Sequence, residues 1–132
     1  MESMGKNKDL DIRATCLNCI DGRVQLPVLH WIRKQYQIDF VDVVTAAGID
    51  GILAAQDNID GIIRSINISI NINKSVRLFV VGHYDCRGNL VDEKTHQEQV
   101  AKSVKRLKAY WPKLEIIGLW VNSHWQVEVW YK

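Results

Sequence analysis

Proline occurs only twice, cysteine only three times, and positive charge barely exceeds negative. No apolar run approaches the roughly 18 residues that a membrane-spanning helix needs, so a bilayer span is excluded. Seventeen Lys and Arg against fifteen Asp and Glu leave a net charge of +2, too little to argue for a nucleic-acid partner. The basic residues are scattered. Their one dense stretch, "KSVKRLK", reads as the solvated side of a helix. The opening "MESMGKNKDLD" is polar and has no apolar signal-peptide core. With an odd number of cysteines this predicts a reducing, cytoplasmic setting in which thiols serve as ligands or nucleophiles rather than as a disulfide framework.

What is present fits a soluble globular protein: 47% hydrophobic and 24% charged residues over a length that suits one domain. Residues 1–10 are expected to be a disordered lead-in and 11–132 a single domain. Apolar runs alternate with helical patterns. "IRATCLN" (12–18) predicts a strand. In "VQLPVLHWIRKQYQ" (24–37), Val28, Leu29, Ile32 and Tyr36 fall at helical spacing, with Pro27 near the start, where a missing N–H is tolerated. "DFVDVVTAAG" (39–48) is a β-branched run ending in glycine. "DNIDGIIRSINISI" sets Ile59, Ile62, Ile63, Ile66 and Ile70 on one helical face, which outweighs the strand-like alternation inside it. "SVRLFVVGH" (75–83) is the most apolar strand and should be central. Residues 93–111 make an amphipathic helix stopped by Pro112. "LEIIGLWVN" and "WQVEVWY" read as a hairpin joined at Asn122, Ser123 and His124. The order β-α-β-α-β-α-β-β predicts an α/β, Rossmann-like fold. Its parallel sheet has strand order 2-1-3-4, with a fifth antiparallel edge strand and helices on both faces.

Two of the apolar runs end in clusters of reactive groups. "CIDGR" carries Cys19, Asp21 and Arg23, and "GHYDC" carries His83 and Cys86. In open parallel sheets ligands sit beyond the carboxyl ends of the strands, where the strand order reverses. An order 2-1-3-4 puts that reversal between the first and third strands, so Cys19, His83 and Cys86 converge there. Two thiolates and one imidazole suit Zn²⁺, and three protein ligands leave a fourth position open, as a catalytic zinc requires. The competing interpretation is that these cysteines merely pack, as buried free cysteines often do.

"CIDGR" resembles the C-x-D-x-R signature of the β-class carbonic anhydrases, and "GHYDC" resembles their G-H-x-x-C. "VVTAAG" stands where that family has a strand ending in Ala-Gly, and "GLWVNSHWQVEV" is similar to its closing hairpin. The resemblance implies that Cys19, His83 and Cys86 bind one Zn²⁺ per chain. It also implies that Asp21 accepts a hydrogen bond from the zinc-bound water or hydroxide and that Arg23 holds Asp21 ionised and oriented. The implied reaction is reversible hydration of CO2 to bicarbonate, and the implied assembly is a homodimer or higher homo-oligomer. The chain departs from the family pattern at Gly22 (usually Ser), Arg87 (commonly Gly), and Thr45 and Ala46 (usually Arg and Asn). Only 18 residues precede Cys19, so the family's N-terminal helical arm is expected to be missing. Two further functions fit the same residues: zinc binding without turnover, and hydrolysis of a CO2-like molecule such as carbonyl sulfide or carbon disulfide.

Cys16 forms "CLNC" with Cys19, but a thioredoxin-like pair opens a helix, and neither Pro27 nor Pro112 can supply the cis-proline opposite it. Cys16 is expected to be a buried strand residue. His30, His96 and His124 are expected on surfaces or helix faces, and Asp85 in solvent or behind His83. Trp111, Trp120, Trp125 and Trp130, late in the chain, are expected in the core or over a sheet edge.

Overall fold

The computed structural model describes residues 11–132, so the expected lead-in, residues 1–10, lies outside the described residues. Strands β1 (Arg13–Asn18), β2 (Phe40–Thr45), β3 (Arg77–His83), β4 (Glu115–Val121) and β5 (Val127–Tyr131) form one sheet in the order β2-β1-β3-β4-β5. β1 pairs in parallel with β2 and β3, and β3 pairs in parallel with β4. Only β5 is antiparallel, on the edge beside β4. The expected topology is therefore the observed one. β3 is central because its run of apolar residues can be buried on both faces, and every residue from Leu78 to His83 is.

Successive strand residues point to opposite faces, and each face packs its own helices. On one side Ala14, Cys16, Phe79, Val81, Ile117 and Leu119 meet Val28 and Ile32 of helix α1 (Gln25–Tyr36). On the other side, Leu17, Leu78, Val80 and Ile116 are covered by three helices. These are α2 (Ile49–Ala55), α3 (Asp60–Asn67) and α4 (Glu93–Tyr110). α4 opens on an Asp92 cap, whose carboxylate accepts the Thr95 N–H at 2.7 Å, and closes just before Pro112. No helix among the described residues is long and apolar enough to cross a membrane.

Two details differ from expectation. A second helix, α2, lies between β2 and β3. Its seven residues bury only Ile49, Asp50 and Leu53, too short a pattern to stand out as helical in the sequence. The closing hairpin turns over a longer segment than expected: Asn122 Oδ1 accepts the N–H of His124 and of Gln126, and Trp125 takes a left-handed conformation (φ 59°).

The isoleucines of α3 share one face as expected, Ile66 buried and Ile62 and Ile63 partly buried against the same core, and the helix then widens into a π turn, Ile68–Ile72. Ser69, on the buried side of that turn, donates to Asp42 Oδ2 at 2.7 Å and lies 2.6 Å from Thr15 Oγ1. Thr15 in turn bonds Ser75 at 2.8 Å, and Asn73 also donates to Asp42. This hydroxyl cluster ties the end of the helix to β1 and β2 and satisfies polar groups that would otherwise be stranded. Ser69→Ala is expected to destabilise the fold by about 1–2 kcal/mol, the cost of leaving such partners unpaired. Urea unfolding monitored by tryptophan fluorescence measures it, and a shift below a few tenths of that size would mean that water replaces the hydroxyl freely.

Candidate metal centre

β1 and β3 are neighbours in register, with Leu17 opposite Val80. Cys19 lies two residues beyond Leu17, and His83 three beyond Val80, so both leave the sheet at the same carboxyl end. Cys86 returns to that point after one turn. Asn18, fully buried, fixes the exit from β1: its Oδ1 accepts the Cys19 N–H at 2.9 Å and its Nδ2 donates to the Val24 carbonyl. Gln25 Nε2 donates to the carbonyls of Cys19 and Asp21 and closes the turn from the other side.

The ligand atoms of Cys19, His83 and Cys86 all lie within 4.8 Å of one another, and the three residues are buried. The two sulfurs are 3.9 Å apart. Two thiolates on one tetrahedral zinc at ~2.3 Å would be separated by about 3.8 Å. His83 Nδ1 faces the Tyr84 carbonyl at 2.8 Å, an arrangement that places the ring proton there and leaves Nε2 as the lone-pair nitrogen. That Nε2 is buried and has no hydrogen-bond partner. A soft, dry donor set with an orphaned imidazole nitrogen and matching sulfur spacing fits zinc. Without a cation the sulfurs hydrogen-bond each other. The contact pulls the Cys19 thiol well below its usual range and pushes Cys86 well above it. The Gly48 N–H adds a donor to Cys19 Sγ at 3.4 Å.

Asp21 and Arg23 adjoin the cluster. Arg23 Nη2 donates to Asp21 Oδ2 at 2.7 Å, Nε to Oδ1 at 3.1 Å, and the Arg23 backbone N–H to Oδ1 at 2.9 Å. The Arg23 hydrogen bonds hold the Asp21 carboxyl down at about 2. Asp21 also caps the short 3₁₀ turn Gly22–Val24, so pairing and capping are one interaction here. Asp85, expected in solvent or behind His83, is exposed but accepts from Arg23 Nη1 at 3.2 Å. Cys16 is buried under α1, outside the converging ligand atoms, and burial pushes its thiol up to about 12.

His30 and His124 are exposed, as expected, whereas His96 is not a surface residue. It is buried on the first turns of α4, and its Nδ1 lies 2.5 Å from Asp50 Oδ2 without hydrogen-bond alignment. Its ring stands edge-on to Trp120, 5.2 Å between centroids, and 6.3 Å from the ring of His83. A cavity of about 220 Å³ runs between His83, Cys86, Trp120, Leu90, Val91 and His96, but does not reach Cys19 or Asp21. Sequence reasoning missed the Asp50–His96 pair because Asp50 sits in the unread helix α2.

The loops behind the ligands touch backbone to backbone. Gly48 has φ 62°, and a Cβ there would lie 2.5 Å from the Gly88 carbonyl oxygen. Gly48→Ala must therefore adopt a left-handed conformation and also push away the loop that carries Cys86. We expect it to lower stability by about 2 kcal/mol or more and to weaken zinc binding at least tenfold, measured by competition with a chromophoric chelator. Gly22→Ala is the control: a Cβ there meets nothing within 4 Å, so affinity and stability should stay near those of the wild type. Equal behaviour of the two variants would remove the loop contact from the account.

Residues 10–130 match a family described as "Putative carbonic anhydrase". No curated protein sequence matches the chain significantly. Among solved structures the fold is similar to that of the beta-carbonic anhydrase CcaA, with a TM-score of 0.61 at 12% sequence identity over 97% of this chain and 84% of that one. It is also similar to tetrameric beta-carbonic anhydrases from the filamentous ascomycete Sordaria macrospora, with a TM-score of 0.62 at 12% identity over 97% of this chain and 89% of that one. Identity this low speaks to fold alone, whereas the family match spans nearly every described residue. Family and fold are those of carbonic anhydrase-like lyases, and the chain belongs to this carbonic anhydrase family.

Proposed function

We propose that this protein catalyses the zinc-dependent, reversible hydration of CO2 to bicarbonate, with one Zn²⁺ per chain held by Cys19, His83 and Cys86. The observation that carries this reading is the convergence of those ligand atoms within 4.8 Å beside an Asp21 carboxylate pinned by Arg23. Zinc in such a set supplies a Lewis acid that makes water nucleophilic near neutral pH. Cys19, His83 and Cys86 would hold the ion, and Asp21, two residues from Cys19, would accept a hydrogen bond from the water it activates and so orient that water toward the substrate. Arg23 keeps the carboxylate ionised and supplies the fixed positive partner that stops it from wandering. Because Arg23 depresses the Asp21 pKa to about 2, the carboxylate stays charged as the pH falls from neutral toward that value. Loss of activity in mild acid would then reflect protons competing for the thiolates and imidazole rather than protonation of Asp21.

We further assign the protein to the cytoplasm and to a homo-oligomer. All three cysteines are unbridged, the usage of a reducing compartment. Trp130 and Val129 of the edge strand β5 are left partly exposed, as a self-associating sheet edge would be. Sedimentation at micromolar concentration should show at least a dimer, and a monomer that turns over CO2 would reject this assignment.

Metal analysis should find about one zinc per chain, lost in Cys19→Ser and in Cys86→Ser and kept in Cys16→Ser. Arg23→Ala should keep its zinc and lose stopped-flow CO2 hydration by a factor of about 100 or more, the scale of one oriented electrostatic partner. A hydration rate per bound zinc that survives Arg23→Ala, with only the melting temperature lowered, would reduce Asp21 and Arg23 to a turn and its cap.

A further inference from the structure

Four non-glycine residues among those described have left-handed backbone: Gln37, Lys74, Asp85 and Trp125. The first two follow helical turns, where such a conformation ends the helix and lets the chain leave. Asp85 and Trp125 follow no helix. They lie in different loops, after β3 and after β4, and both touch Arg23. Arg23 Nη1 donates to Asp85 Oδ2 at 3.2 Å, and Nη2 donates to the Asp85 carbonyl at 3.1 Å. The guanidinium carbon stands over the Trp125 ring, 4.6 Å from its centroid.

We propose that Asp85 and Trp125 are positioning residues that clamp Arg23 so that Asp21 stays turned toward the guanidinium and off the metal. The proposal rests on the reading of Asp21 given above and extends it. Arg23 is 42% exposed, and an isolated exposed ion pair is loose because water competes for both partners. Here four of the guanidinium's five N–H donors are engaged: Nε and one from Nη2 on Asp21, one from Nη1 and the second from Nη2 on Asp85. Trp125 covers one flat face, where a delocalised cation stacks well. Rotation of the guanidinium would break contacts on both sides at once. Without the Asp85 carboxylate one of the four engaged donors is freed, and the Asp85 side holds by its carbonyl alone. Asp21, two residues from Cys19, is then freer to leave Arg23 and reach the metal, closing the position that water needs. The left-handed backbone of Asp85 and Trp125 is what aims both side chains at one point.

The test separates the clamp from the reaction. In ¹⁵N-labelled protein at low temperature the Arg23 Nη–H signals, identified by their loss in Arg23→Lys, should be resolved from one another because rotation is arrested. Asp85→Gly keeps the left-handed backbone without strain and removes only the carboxylate, so folding is retained and the signals should collapse together. Asp85→Asn restores an acceptor oxygen and should restore the resolved signals. With cobalt(II) in the site, azide should shift the visible bands of the wild type, and the response should fall several-fold in Asp85→Gly. Signals still resolved in Asp85→Gly, or an azide response equal to that of the wild type, would overturn the clamp. A wild type unresponsive to azide would overturn it too, since Asp21 would already occupy the site. Wild-type protein with resolved signals and an azide response but no CO2 hydration would uphold the clamp and sink the hydration reading instead.

Discussion

Two sulfurs 3.9 Å apart and an unpartnered imidazole nitrogen share one buried corner of this protein, and two arrangements satisfy its unbridged thiols. Either protons sit between the sulfurs, or a cation does. With protons, one thiol donates to the other and His83 Nε2 is left without a partner, an arrangement that costs the desolvation of that nitrogen. With a divalent cation all three atoms are satisfied at once. Much of the surrounding structure follows from holding these three atoms together: the adjacency of β1 and β3, the turn locked by Asn18 and Gln25, and the contact between the Gly48 and Gly88 loops.

The topology was legible because the strands announce themselves. β3 is a run of apolar residues with a single glycine, which can only be buried on both faces, and the helical patterns between strands demand parallel crossovers. The meeting of Cys19 with His83 and Cys86 then follows from strand order, since neighbouring parallel strands deliver their carboxyl ends to one place. Less legible were features with little periodicity to show. α2 buries only three residues. His96 looks like any histidine on a charged helix, and the buried neighbour it faces, Asp50, lies 46 positions earlier in that unread helix. The roles of Asp85 and Trp125 depend on backbone dihedrals, which no residue pattern discloses when the residue is not glycine.

Close approach near the site is bought with small residues on one side and strain on the other. A Cβ on Gly82 would meet Val100 Cγ2 at 2.6 Å and Asp50 Oδ2 at 2.9 Å, so the glycine at the end of β3 is what lets Asp50 and α4 reach the sheet. Asp85 and Trp125 do the opposite. Each holds a left-handed backbone at a cost of roughly 1–2 kcal/mol, where glycine would be free of it. In a domain whose net stability is ~5–15 kcal/mol, two such terms are appreciable. They persist because the surrounding contacts hold them, and the contact they share is Arg23.

The same corner is crowded with negative charge. Besides the two sulfurs, Asp21, Asp50 and Asp85 all lie near, and the Arg23 guanidinium pairs with Asp21 and Asp85. Cys86 registers this crowding directly. The hydrogen bond with Cys19 raises its pKa most, burial adds to that, and the Asp50 charge pushes in the same direction. Ionising both thiols with nothing between them is therefore opposed by sulfur, by the dry surroundings and by carboxylate. A monovalent partner could offset only part of this, and Arg23 is already committed to Asp21 and Asp85. A compact divalent ion held by Cys19 and Cys86 would relieve the repulsion at its source and turn the surrounding carboxylates from a liability into stabilisation. The charge of the corner thus suits a divalent ion as well as its geometry does, and such an ion would also attract Asp21, whose carboxylate is bound to Arg23.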